Sequence, residues 1–349
     1  MKSERTSTEG RAARSRAVDR PGRGAWEPLA WRLREEDVED ARRLSEEIRA
    51  LAKEKGAVIL AHNYQLPRVQ DVSDFVGDSL GLSLQARETA ADIIVFCGVH
   101  FMAESAKILN PEKKVLLPNV AAGCSLADSI TADSLLEWKA RYPEHLVVTY
   151  VNSSADVKAL SDICCTSANA VSVVRSVPER KILFTPDRNL GNWVKSRVPE
   201  KEIVVYDGVC PTHDVLRSPS VRRQRAAHPD AVVIAHPECR EDVLAMADEV
   251  CSTSGMFDAV ARHPEARTFL VATEWSIVYR LKKTFPDREF VMADGCIGCR
   301  LHCPYMKMID LPQVKRSLEE EVFEIDVPPD IAERARRSLE RMLAVKRDS

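Results

Sequence analysis

The chain has no long apolar run: none of its stretches approaches the roughly 18 residues a helix needs to cross a bilayer. Its first residues, MKSERTSTEGRAARSRAVDRPGRG, lack the apolar core of a secretory signal. Nor is there an excess of charge. Fifty Lys and Arg against 53 Asp and Glu leave a formal charge of -3, so neither nucleic acid nor a membrane is expected as a partner. Cysteine is also sparse, since ten in 349 residues cannot form a disulfide framework and suit metal ligands, reactive thiols or core positions. A cytoplasmic protein is expected. The 45% hydrophobic and 30% charged content is that of a globular chain, and its length exceeds what one core serves, so two or three subdomains are predicted.

Residues 1–36 contain almost no aliphatic side chains and read as a disordered extension; Glu4, Glu9 and Asp19 oppose a transit peptide. Val38, Ala41, Leu44, Ile48 and Leu51 recur at helical spacing, with Gly56 placed to end the helix. From Ala57 short β-rich runs alternate with helical stretches, which predicts parallel strands with helical crossovers. The pattern occurs three times. AVILAHNY (57–64), HLVVTYVN (145–152) and AVVIAHPE (231–238) recur about every 87 residues. DIIVFCGVH, DICCTSANA and EVCSTSGM read as the second runs, and KVLLPN, KILFTPD and TFLVATEW as the third. EIVVYDGVC and REFVMADGC are added only in the second and third repeats. Three similar α/β units are expected, at 37–124, 125–210 and 211–310. Residues 311–349 are read as a strand, VFEIDVP, and an amphipathic helix capped by Asp330, with Ile331, Ala335, Leu339, Met342 and Leu343 on one face.

Ligands of open parallel sheets bind beyond the carboxyl ends of the strands. The tips here, AHNY, YVNSS, TSAN, HPE and STSG, are rich in hydroxyls, amides and imidazoles, a lining for an acidic substrate in a central pocket. Ser79, Tyr150 and Asn152 read equally as local caps, and their place among the tips favours function. Arg188, Lys158 and Glu104 read as solvated charges.

Cys97, Cys164, Cys165, Cys239 and Cys251 lie in or beside apolar runs and are read as core. Cys124, Cys210 and the stretch DGCIGCRLHCPYM (294–306) instead close the three repeats at equivalent places. Three thiolates meeting on a pseudo-threefold axis fall one short of a structural zinc site but suit an iron–sulphur cluster with one iron open. Such an iron is a Lewis acid. Counting forward from Cys210 favours Cys296 as the third ligand, with Cys299 and Cys303 within reach of the same loop.

AHNYQ (61–65), GDSL (77–80), GCSLAD (123–128), TYVNSSADVKA (149–159), CTSANA (165–170), FTPDRNLG (184–191), CPTHD (210–214), HPE (236–238), STSGM (252–256) and CRLHCPYM (299–306) together resemble the quinolinate synthase family. The likeness spans about residues 40–312. It implies three pseudo-symmetric three-layer α/β/α domains with small parallel sheets around a central active site. It implies one 4Fe-4S cluster per chain on Cys124, Cys210 and Cys303, the cysteine directly before the Pro of CPxM, in place of Cys296. Cys296 and Cys299 become a nearby dithiol able to form a disulfide. The implied reaction condenses iminoaspartate, supplied by an L-aspartate oxidase or dehydrogenase, with dihydroxyacetone phosphate. Phosphate and two waters leave, and quinolinate enters NAD biosynthesis. Glu238, Tyr64 and His236 carry the implied acid–base chemistry, and His62, Ser79, Tyr150, Asn152, Ser167, His213, Ser252 and Thr253 the implied substrate binding. Two rival readings are another three-domain cluster enzyme, such as the diphthamide-synthesis type that cleaves S-adenosylmethionine, and a zinc or nucleic-acid module built on 296–303.

Overall fold

The computed structural model describes residues 35–295 and 300–348. The expected extension up to residue 34 and the Cys296–Cys299 pair lie outside them. The first helix, Glu35–Glu54, buries Ile48 and Ala52 on one side. It stops where predicted, at Gly56, whose φ of 61° is the left-handed conformation that glycine adopts without a Cβ clash.

Among the described residues twelve strands follow, in three groups. The first is β1 (Ala57–His62), β2 (Phe75–Gly77), β3 (Ile93–Cys97) and β4 (Lys114–Leu116). The second is β5 (Leu146–Tyr150), β6 (Ile163–Cys165), β7 (Lys181–Thr185) and β8 (Glu202–Val205). The third is β9 (Val232–Ala235), β10 (Glu249–Val250), β11 (Thr268–Ala272) and β12 (Glu289–Met292). Each group is one four-stranded parallel sheet, ordered β2-β1-β3-β4, β6-β5-β7-β8 and β10-β9-β11-β12. Helices flank the sheets, giving the expected three α/β/α layers. Runs such as IIVFC and LVVTY are mostly apolar because a parallel sheet buries both faces.

The repetition extends to single hydrogen bonds. The amides of Ile59, Val147 and Val233 each donate to an aspartate carboxylate, Asp74, Asp162 and Asp248, at 2.8 Å. The same aspartates donate their own amides back to the carbonyls of Ile59, Val147 and Val233. This staple fixes the register between the first two strands of every sheet.

The structure corrects the reading of the first repeat. Its second strand is β2, three residues inside DFVGDSL, too short to show a pattern, so DIIVFC is the third strand and KVLLPN the fourth. All three units therefore have four strands. VFEIDVP is also not a strand: Glu324 makes one antiparallel bridge to Leu116, with hydrogen bonds Leu117 N to Phe323 O and Ile325 N to Val115 O, before Pro328 and Pro329 start the last helix. Asp330 lies in the first turn of that helix, Pro329–Leu343, rather than at its cap. The helix buries Ala335, Ser338, Leu339 and Met342 and packs on β6 and the helix Ala155–Ala159. Among the described residues no helix is long and apolar enough to cross a membrane.

Candidate active site

Equivalent positions of the three sheets point equivalent groups at the center. The first strand of each sheet ends in a pair spaced i, i+2: His62 and Tyr64 after β1, Tyr150 and Asn152 after β5, His236 and Glu238 after β9. The spacing of two puts both members of a pair on one side of the chain. Two residues beyond the second strand stands a serine: Ser79, Ser167 and Ser252. The sheets deliver these side chains to one place, where His62, Tyr64, Tyr150, His213, His236, Glu238, Ser252 and Thr253 are all buried.

Glu238 is the center of the polar network. Its Oε2 is 2.7 Å from His213 Nδ1, and its Oε1 accepts from Asn152 Nδ2 at 3.4 Å. Burial would raise the carboxyl, but His213, His236 and the Tyr150 hydroxyl bring it down to about 2, so it is ionised at neutral pH. The phenols behave oppositely. Burial, with Glu238 second, pushes Tyr64 and Tyr150 well above their ordinary range, so both keep their protons. Burial likewise pushes His62 down to about 4 and His236 to about 3, leaving neutral imidazoles. In each the Nδ1 faces the amide two residues on, Tyr64 N at 3.1 Å and Glu238 N at 3.3 Å. That assigns the proton to Nε2 in both rings, and His236 Nε2 can donate to Ser167 Oγ at 3.1 Å.

Cys124, Cys210 and Cys303 leave loops of unequal length after β4, β8 and β12. Their thiols face one another closely enough that Cys303 contributes to raising Cys124, and Cys124 and Cys303 to raising Cys210, in each case after burial as the larger cause. Cys210 Sγ, a His213 ring nitrogen and a Glu238 oxygen all lie within 4.8 Å of one another. Buried thiols held high and set against each other are poor nucleophiles. A polycationic iron–sulphur core would favour their thiolates, so the donor set fits such a cluster.

Several residues of the network were not singled out from the sequence. Asp187 caps the helix Arg188–Arg197 through Leu190 N (2.6 Å) and accepts the amide of Cys210 (3.3 Å). Thr273 Oγ1 touches the Tyr64 hydroxyl and lies 2.8 Å from His213 Nε2. Glu274, fully buried, pairs with Lys307 at 2.9 Å and accepts the amide of Cys303 at 3.4 Å. Asp78 caps the helix Ser79–Glu88, the role open to Ser79, and accepts from Ser252 Oγ at 3.2 Å. Asp187 and Asp78 stood in the motifs FTPDRNLG and GDSL, where an acid before a helical run signals a cap.

Two of the three charges read as solvated are not. Lys158 is fully buried, donating from Nζ to Ser153 O at 2.5 Å. Glu104 accepts the amide of Ala155 at 3.1 Å with its side chain 13% exposed. The third, Arg188, keeps its side chain 38% exposed and pairs with the exposed Asp207 at 2.6 Å. Cys97, Cys164, Cys165 and Cys239 are core as expected, whereas Cys251 lines a cavity of about 600 Å³ that also touches Ser167, Pro237 and Ser252. Thr253 accepts from Asn63 Nδ2 at 2.9 Å, joining the first and third units.

The approach to Cys210 is tight. Gly208 N donates to Pro186 O at 3.1 Å, and a Cβ at Gly208 would collide with Ser129 Oγ and lie 2.6 Å from Pro186 O. Gly208→Ala is expected to cost about 1–3 kcal/mol, read as a lowered midpoint in denaturant; an unchanged midpoint would show that the loop relaxes freely.

Three parallel sheets that aim ionised, phenolic and imidazole groups at one center, beside three neighbouring thiols, define an α/β enzyme whose site is built at the ends of the strands. The family model described as "NadA: Quinolinate synthetase A protein" matches residues 46–344, and the chain belongs to that family. Among curated relatives, the quinolinate synthase of Geobacter metallireducens is 52% identical over 87% of this chain and 98% of its own length. That of Thermodesulfovibrio yellowstonii is 50% identical over 87% and 98%, and that of Aquifex aeolicus 48% over 87% and 95%.

Proposed function

We propose that the chain is a quinolinate synthase of NAD biosynthesis, condensing iminoaspartate with dihydroxyacetone phosphate to quinolinate, phosphate and two waters, with a 4Fe-4S cluster on Cys124, Cys210 and Cys303. The observation that carries the reading is the buried, ionised Glu238 paired with His213 within 4.8 Å of the Cys210 thiol. A pocket of that kind joins a base to a cluster ligand. When bound, a cluster with one open iron supplies a Lewis acid to a substrate oxygen.

The protein's own groups carry the rest. Glu238 accepts the proton that leaves carbon as the enamine forms, held in place by His213 Nδ1 and Asn152 Nδ2. Tyr64, protonated and touching Thr273 Oγ1, donates from its hydroxyl to an oxygen that departs as water. The Nε2–H groups of His62 and His236 orient carboxylates without adding positive charge. Asn152 Oδ1 is buried with no hydrogen-bond partner among the described residues and offers an acceptor to the imine nitrogen of iminoaspartate. Ser79, Ser167, Ser252, Thr253 and Tyr150 complete the polar lining for the phosphate and carboxylates.

Protein purified without oxygen is expected to carry about four iron and four sulphide per chain. It should form quinolinate from the two substrates with no adenosylmethionine present. Iron-poor, colourless protein working at full speed would remove the cluster from the proposal, and a strict need for adenosylmethionine would favour the rival cluster chemistry.

A further inference from the structure

The proposed chemistry makes no use of the segment after the last helix, yet that segment lies against the site. Asn169 Nδ2 donates to Met342 O (3.2 Å) and Val345 O (3.4 Å), and Asp348 N donates to Ala168 O (2.7 Å). The Asp348 carboxylate accepts the amides of Val171 (3.1 Å) and Ser172 (2.7 Å). It is thus stapled to the loop and helix start that follow Ser167. Arg347 reaches the other way and grips Asp78 through two hydrogen bonds, at 2.5 and 2.9 Å.

Asp78 is a buried carboxylate with three other contacts. It accepts from Gly81 N at 2.8 Å and Ser252 Oγ at 3.2 Å, and its amide donates to Ser254 Oγ at 3.3 Å. The dipeptide Arg347–Asp348 therefore ties together the loops that carry Ser79, Ser167 and Ser252, one from each sheet. Both residues line the 600 Å³ cavity beside Ser167 and Ser252.

Charge gives the arrangement its consequence. Both substrates of the proposed reaction, and its quinolinate and phosphate products, are anionic, whereas Asp78 presents a carboxylate within hydrogen-bond distance of Ser252. A bidentate guanidinium cancels that charge and fixes the carboxylate's orientation at once. Removing one partner of such a pair leaves an uncompensated buried charge.

We propose that Arg347 is a positioning residue that, through Asp78, sets Ser252 and screens the cavity for anionic substrates, with Asp348 anchoring the same strap on the Ser167 loop. The proposal rests on the reading of Ser167 and Ser252 as substrate ligands. It assigns a functional part to a segment that makes none of the proton transfers.

Arg347→Met and Arg347→Lys in the full chain test it. The Met variant is expected to raise KM for dihydroxyacetone phosphate about tenfold while kcat changes less, and the Lys variant to recover most of the loss. A KM unchanged in Arg347→Met, or a Lys variant no better than Met, would overturn the proposal. Hydrogen exchange on substrate-free protein separates this outcome from the fate of the functional reading. Amides 171–172 and 252–255 are expected to exchange about tenfold faster in Arg347→Met, and unaltered protection there would also overturn the strap. Faster exchange in a protein that makes no quinolinate would leave the strap standing and defeat the functional reading.

Discussion

Replacing Glu238 with Gln is expected to lower quinolinate formation by roughly 10²–10⁴-fold, the usual contribution of a positioned acid–base group, while leaving iron content and fold in place. The size follows from the ionisation state. His213, His236 and Tyr150 overcome the effect of burial and hold the carboxyl at about 2, so at any practical assay pH the carboxylate is a base, and the amide that replaces it is not. Gln keeps the volume and one carbonyl oxygen for His213 Nδ1, but its NH2 meets the donor groups of Asn152 and Tyr150. A stability loss of about 1–3 kcal/mol is expected from that mismatch, too small to explain a loss of several orders of magnitude in rate. Loss of the negative charge also relieves Asp187, which Glu238 helps to push up after burial, and this limits the damage. Rates, iron content and the denaturation midpoint measured on one preparation decide the matter. Turnover within tenfold of the parent would exclude Glu238 as the base, whereas loss of iron with activity would show that its role is to hold the Cys210 loop.

The framework was legible where the sequence repeats itself. The first strands of the three sheets stood out because apolar runs buried on both faces end in polar tips, and the i, i+2 pairs sit on those tips. β2 was hidden because three residues carry no periodicity. Burial of charge was not legible either: Lys158, Glu274 and Lys307 look in sequence like any surface charges. Their partners lie far along the chain or, for Lys158, are backbone carbonyls. The same holds for Thr273, whose hydroxyl matters only because the third sheet sets it between Tyr64 from the first unit and His213. The cysteines show the limit of counting. The strands repeat closely, but the loops after β4, β8 and β12 differ in length, so a fixed period has no power to choose among thiols at the end of the longest loop.

That choice has a direct test with an effect as large as the first. Cys303→Ala is expected to abolish cluster assembly, giving protein with almost no iron or sulphide and no quinolinate formation, whereas Cys296→Ala should keep both. The support lies in how Cys303 is held. Its amide donates to Glu274, whose partner Lys307 also donates to Tyr64 O, and the loop before it is pinned by Trp275 N to Leu301 O and by Trp275 Nε1 to His302 Nδ1 at 3.1 Å. Trp275 and Glu274 follow β11, so the third sheet itself fixes the position from which this thiol meets Cys124 and Cys210. A ligand held by such cross-bracing loses little freedom on binding, and that favours assembly of the metal site. Iron retained in Cys303→Ala but lost in Cys296→Ala would return the ligand to the position that counting the repeat favours. Iron retained in both would mean that Cys299 or a residue outside the loop completes the donor set.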